Sequence, residues 1–205
     1  MSRNKWTDGL EEFVTLGNLG VRHMNGLFER CKTFNLPLGH LDVSTVTTMC
    51  RLFDDAESFN QPIGLWDVSR VTDMHGMFSG AESFNQPIGL WDVSRVTDMQ
   101  RTFAYASAFN QPIETWSMIS VVNMNFMFHC ASSFNHPVTN WDLPSLKHAR
   151  DVFLDAKAFT HLCPTCGTWI EAVQTDRDKG WSKLLAELKA ATGNPNSVYY
   201  VARMN

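Results

Sequence analysis

The chain has 205 residues, 44% hydrophobic and 19% charged, which is enough for one domain with a sizeable core. A formal net charge of −4 gives no clustered basic surface for nucleic acid, and no window approaches the ~18 apolar residues of a membrane span. Five cysteines without framework spacing suit a reducing compartment. At the start, "MSRNKWTDGLEEFVTLG" carries no apolar run long enough for a signal-peptide core, so the cytoplasm is expected. Phe13 and Leu16 fall in register with columns found further along. Residues 1–20 are therefore expected to form an N-terminal cap and a degenerate first half-coil.

From residue 21 the chain copies itself. Ala56–Met74 recurs letter for letter as Ala81–Met99, an offset of 25. At that offset Trp66, Trp91, Trp116 and Trp141 share one column. Phe28, Phe53, Phe78, Phe103, Phe128 and Phe153 share another, and Phe34, Phe59, Phe84, Phe109, Phe134 and Phe159 a third. Met24, Met49, Met74, Met99 and Met124 line up, as do five Asn-x-Pro triplets starting at Asn35. A 25-residue unit cannot bury an aromatic face alone, so stability must come from stacking unit on unit. "IGLWDVS" alternates like a short strand with Ile63, Trp66 and Val68 inward. "VTDMHGMFSGA" changes period: Val71, Met74, Phe78 and Ala81 are spaced for one helical face, with Ser69 as a plausible N-cap. "SFNQP" reads as the turn back. The expected fold is a right-handed α/β repeat solenoid, with 25-residue coils of short parallel strand plus short helix, over residues 21–162. The stacked aromatics read as core ladder rather than as a platform for sugars or bases, and the asparagines as satisfying the backbone of neighbouring coils.

The unit F-N-Q-P-I-x-x-W-D-V-S-x-V-T-x-M-x-x-M-F resembles the BspA-type leucine-rich-repeat family. Its closest branch there is the repeat of unknown function collected from mycoplasma surface lipoproteins. The resemblance covers about three-quarters of the chain. It implies a leucine-rich-repeat-like solenoid, no catalytic activity, and binding of host proteins or matrix by the bacterial surface members. The lack of a signal or lipoprotein peptide is a departure from those members, and leaves the cell surface as the alternative location.

Binding is expected on the outward strand positions. These are Asp42, Asp67, Asp92, Ser117 and Asp142, beside His40, Leu65, Leu90, Thr115 and Asn140, a column whose chemistry varies while the core columns hardly change. The aspartates have a second reading as caps of the following element. "HLCPTCG" then brings Cys163 and Cys166, which with His161 are candidate zinc ligands. No second C-x-x-C supports them, and both cysteines fall in inward columns. Residues 163–205 read as a degenerate last coil and C-terminal cap, with an amphipathic helix over 181–192 and a short strand over 197–202.

The expected function is a non-catalytic, leucine-rich-repeat-like protein-binding module that presents a rigid parallel-strand face. It needs no cofactor or metal, binds a protein partner of unknown identity, and is a monomer that neither binds nucleic acid nor inserts into membranes. A surface adhesin or structural repeat fragment is the alternative, and a thiol or zinc protein using Cys163 and Cys166 a third reading.

Overall fold

In the computed structural model, which describes residues 21–161, the chain passes the same point every 25 residues. Each passage is called a rung below. The amide of Met74 donates to Asp98 O at 3.0 Å, that of Gly76 to Gln100 O at 2.8 Å, Phe78 to Thr102 O at 2.9 Å and Gly80 to Ala104 O at 2.7 Å. The intervening amides close local turns instead: Met77 donates to Met74 O, Ser79 to Gly76 O and Ala81 to Phe78 O, all at 3.1 Å. Amides thus alternate between their own rung and the next one.

This pattern corrects the expected α/β solenoid of leucine-rich-repeat type. No α-helix is present among the described residues. Their β pairing is confined to isolated parallel bridges: His23 to Thr48, Thr48 to Asp73, Asp73 to Asp98, Asp98 to Asn123 and Asn123 to His148. The rest of the described residues is turn and irregular backbone, so they do not form a tandem array of strand–helix units.

The helix fails for a backbone reason. The nine non-glycine and three glycine residues with positive φ fall in two columns, four residues apart. One column is Gly26, Arg51, Gly76, Arg101, Phe126 and Asp151; the other is Arg30, Asp55, Gly80, Tyr105, Cys130 and Asp155, all with φ between 50° and 67°. A right-handed helix cannot contain left-handed residues at that interval. Val71, Met74, Phe78 and Ala81 are still buried, and Met77 with them, because successive tight turns also return a side chain to one side every three or four residues. The strand "IGLWDVS" is likewise two turns, closed by Trp66 N to Ile63 O at 3.0 Å and Val71 N to Val68 O at 2.8 Å. Ser69 caps no helix. Its amide instead donates to Asp67 Oδ1 at 3.0 Å.

The core runs along the middle of the stack. Within a rung Phe78 lies 4.0 Å from Phe84, centroid to centroid, and between rungs Phe78 lies 5.6 Å from both Phe53 and Phe103, with the ring planes within about ten degrees of parallel. The tryptophans are buried beside this double column. Each donates its indole N–H to a carbonyl one rung back: Trp66 to Leu38 O, Trp91 to Ile63 O, Trp116 to Ile88 O and Trp141 to Ile113 O, at 3.1–3.2 Å. At the outer turn, Asn35 Oδ1 accepts the amide of Asn60, Asn60 that of Asn85, and so on to Thr160. Buried backbone and indole donors are thus satisfied without helix or sheet. The expected caps at 1–20 and 163–205, including the 181–192 helix and the 197–202 strand, lie outside the described residues.

Gly76, with φ +61°, tests this backbone directly. Gly76→Ala is expected to destabilise the protein by about 1–2 kcal/mol, because alanine resists the left-handed region. In a helix the same substitution would stabilise by about 1 kcal/mol. Urea denaturation gives the sign.

Candidate functional site

The turn Ile63–Trp66 is pressed against the next rung, where a Cβ on Gly64 would collide with the Pro87 carbonyl oxygen. Gly39 and Gly89 face Pro62 O and Pro112 O at 2.6 and 2.5 Å in the same way. Only glycine fits so close to a backbone oxygen. The residue that follows is pushed outward at the turn tip, and Leu65 and Leu90 are each 92% exposed. His40, Thr115 and Asn140 are exposed at the same place in their rungs. Packing therefore does not choose this residue.

Between the tips runs an open groove of about 650 Å³. Its walls are Pro62, Pro87 and Pro112, with Leu65 and Leu90 at the crest and Glu114 and Thr115 at one end. Glu114 stands in the column that holds Gly39, Gly64 and Gly89, where the sequence breaks its own rule. Its Oε2 is buried and has no hydrogen-bond partner among the described residues. The sequence reading missed Glu114; the break in the glycine column was the available signal.

The aspartate column is exposed too, as are Ser117 and Asp142. The structure uses three of these carboxylates locally: Asp42 Oδ1 accepts the Ser44 amide, Asp67 Oδ1 that of Ser69 and Asp92 Oδ1 that of Ser94, each at 3.0 Å. These are Asx turns, which cap a turn rather than the expected helix. Asp142 has Pro144 two residues on, which carries no N–H to donate. Hydrogen bonds from the side chain and amide of Ser44 hold the Asp42 carboxyl below its ordinary value, and Ser94 does the same for Asp92.

The ten outward residues lie on turn tips and turn caps, so the expected parallel-strand face is corrected as well. Without a strand-and-helix architecture there is no leucine-rich-repeat binding surface to present. Among the weak metal candidates, His161 spends its Nε2 on Asn135 O at 2.9 Å and edges against Phe159. Cys163 and Cys166 lie outside the described residues. Cys31, Cys50 and Cys130 are half-buried free thiols, and burial raises the pKa of each. No helix among the described residues is long and apolar enough to cross a membrane.

Comparison with known proteins matches residues 4–95 and 61–169 to a family described as Mycoplasma protein of unknown function, DUF285. This match, and not the BspA-type leucine-rich-repeat family, is what the sequence supports. No curated protein matches, and no solved structure does.

The Asx turns carry a pH signature. A carboxyl with a lowered folded pKa stabilises the fold above its unfolded value of about 3.9 and loses that contribution as pH falls through the folded value. NMR titration is expected to place the Asp42 and Asp92 midpoints below ordinary aspartate. Ser94→Pro, which removes the donated amide, is expected to return Asp92 toward it.

Proposed function

This chain belongs to the DUF285 family of Mycoplasma proteins of unknown function, and from the geometry of its groove we propose that it is a non-catalytic binding protein. The occupant is an extended segment of a partner protein that carries an apolar side chain next to a lysine or arginine. One observation carries this reading: two leucines, one rung apart, stand 92% exposed at a position where neighbouring rungs hold His40, Thr115 and Asn140. The prolines beside them widen the apolar surface. At the end of the same groove, the unpartnered Glu114 Oε2 supplies a buried acceptor for a cationic donor. The chain's net charge of −4 favours the same kind of partner.

The groove is open and runs across successive rungs, which suits a single extended peptide better than a folded face. Its remaining lining is glycine, proline and threonine, which provide contact area and backbone carbonyls. We place the binding event in the cytoplasm, supported by the free thiols of Cys31, Cys50 and Cys130, and take the protein to act as a monomer.

Panning a random peptide library on the full chain tests this. The selected peptides are expected to pair an apolar residue with a nearby lysine or arginine. Leu65→Ser combined with Leu90→Ser is expected to weaken them at least tenfold, from the loss of about 1.5 kcal/mol or more of apolar burial, with no change in melting temperature. Glu114→Gln should erase the preference for the basic residue. Peptides that bind the double variant equally well would overturn the proposal. So would sedimentation showing that the leucines hold two copies of the chain together.

A further inference from the structure

On the edge of the stack, away from the groove, three donors of different chemistry converge. We propose that His129, Cys130 and Asp155 form a binding site for a single divalent metal ion of the zinc class. One nitrogen, one sulfur and one carboxylate oxygen from these residues all lie within 4.8 Å of one another. A tetrahedral zinc site with ordinary bond lengths separates its ligand atoms by about 3.3–3.8 Å. His129 Nε2 and Cys130 Sγ, 3.5 Å apart, already stand at that spacing, and the Asp155 side chain beside them is exposed.

The backbone explains how the set assembles. Neighbouring residues usually send their side chains apart, but Cys130 sits in the left-handed column with φ +58°, and its Sγ comes within 3.5 Å of His129 Nε2. Asp155 occupies the same left-handed position one rung on, which brings a residue 25 positions away alongside. At the two positions, the other rungs carry Glu29 and Arg30, Asp54 and Asp55, Ser79 and Gly80, and Ala104 and Tyr105. None of these pairs offers nitrogen and sulfur donors together.

The imidazole is already oriented as a ligand. His129 Nδ1 lies 3.1 Å from Leu154 O, and because a carbonyl can only accept, this contact favours the tautomer with its proton on Nδ1. Nε2 therefore presents its lone pair toward Cys130 and toward the Tyr105 hydroxyl at 3.1 Å. A backbone carbonyl holding the far nitrogen is the arrangement that fixes metal-binding histidines. Three protein ligands leave a fourth position for water or for the Tyr105 oxygen. The mixture of imidazole, thiolate and carboxylate selects zinc, or cobalt as its probe, over magnesium or calcium, which take oxygen donors.

The test is a cobalt(II) titration of the full chain with Cys163 and Cys166 replaced by serine, so that the thiolate signal reports on the remaining cysteines. One equivalent of cobalt is expected to give a thiolate-to-cobalt charge-transfer band and the visible spectrum of a tetrahedral ion, both erased by zinc. Cys130→Ser is expected to abolish the band, whereas Cys31→Ser and Cys50→Ser leave it intact. His129→Ala and Asp155→Asn should each weaken binding at least tenfold. Zinc should raise the melting temperature of the parent and not of the Cys130→Ser variant. A band that survives Cys130→Ser, or no saturable binding at micromolar cobalt, would overturn the proposal.

Discussion

Everything in this structure depends on pairs of left-handed residues, four apart, that recur every 25 positions. They make successive amides point alternately into their own turn and onto the next rung. A helix spends all its amides within itself and a strand spends them on its neighbours; this backbone divides them. The division lets a unit without a helix or a strand satisfy its polar groups and still stack. Left-handed backbone at non-glycine residues costs roughly 1–2 kcal/mol each, and nine of those positions are not glycine. The cost persists because seven of the nine, all but Asp151 and Asp155, donate their amide to a carbonyl of the next rung, which holds the ladder of parallel phenylalanine rings in register.

The stacking then fixes which surfaces remain free. Once Gly64 is forced against Pro87 O, the residue after it must be at the tip. Once Trp91 gives its N–H to Ile63 O, one more carbonyl in the turn that carries Leu65 is committed to the next rung. The copied segment Ala56–Met74 repeats these contacts in identical settings, so Leu65 and Leu90 emerge in the same orientation one rung apart. Duplication of a scaffold unit therefore also duplicates its contact residue.

Legibility in the sequence divides along the same line. The inward columns could be read directly: Trp66, Phe78, Phe84, Val71 and Met74 are buried in register because apolar identity reports burial whatever the backbone does. The backbone could not be read. A 3-4-3 spacing of apolar residues is common to a helix and to a run of tight turns, so Val71 to Ala81 could not distinguish them. Gly76 and Gly80 hinted at left-handed positions, but Arg51, Arg101, Tyr105 and Phe126 occupy those columns and give no such hint. At the candidate site the outward position of Leu65 and Leu90 was legible, since their column varies while the core columns hardly change. Glu114 showed in the sequence only as a break in the glycine column; its unpaired oxygen is visible only in the fold. The His129–Cys130–Asp155 cluster was invisible for a third reason: two adjacent residues and one 25 away meet only through a left-handed turn.

Two kinds of position follow from this architecture, and they tolerate change differently. Residues that face a neighbouring rung are tied to it: Gly64 to Pro87 O, Trp91 to Ile63 O, and Asn85 to both Asn60 and Asn110. Turn-tip residues such as Leu65 and Leu90 face solvent, and edge residues such as Tyr105 stay largely exposed. That freedom explains why chemistry unlike the core columns collects there: leucines at the tips, and histidine, cysteine and tyrosine along the left-handed edge. A stack of near-identical rungs gains a binding function where it departs from its own pattern without disturbing the ladder of hydrogen bonds beneath. Both departures meet that condition. Leu65 and Leu90 need only the glycine before them, and Cys130 keeps the turn conformation and inter-rung hydrogen bond that glycine supplies at position 80, with Cys130 N to Leu154 O at 2.8 Å and Gly80 N to Ala104 O at 2.7 Å.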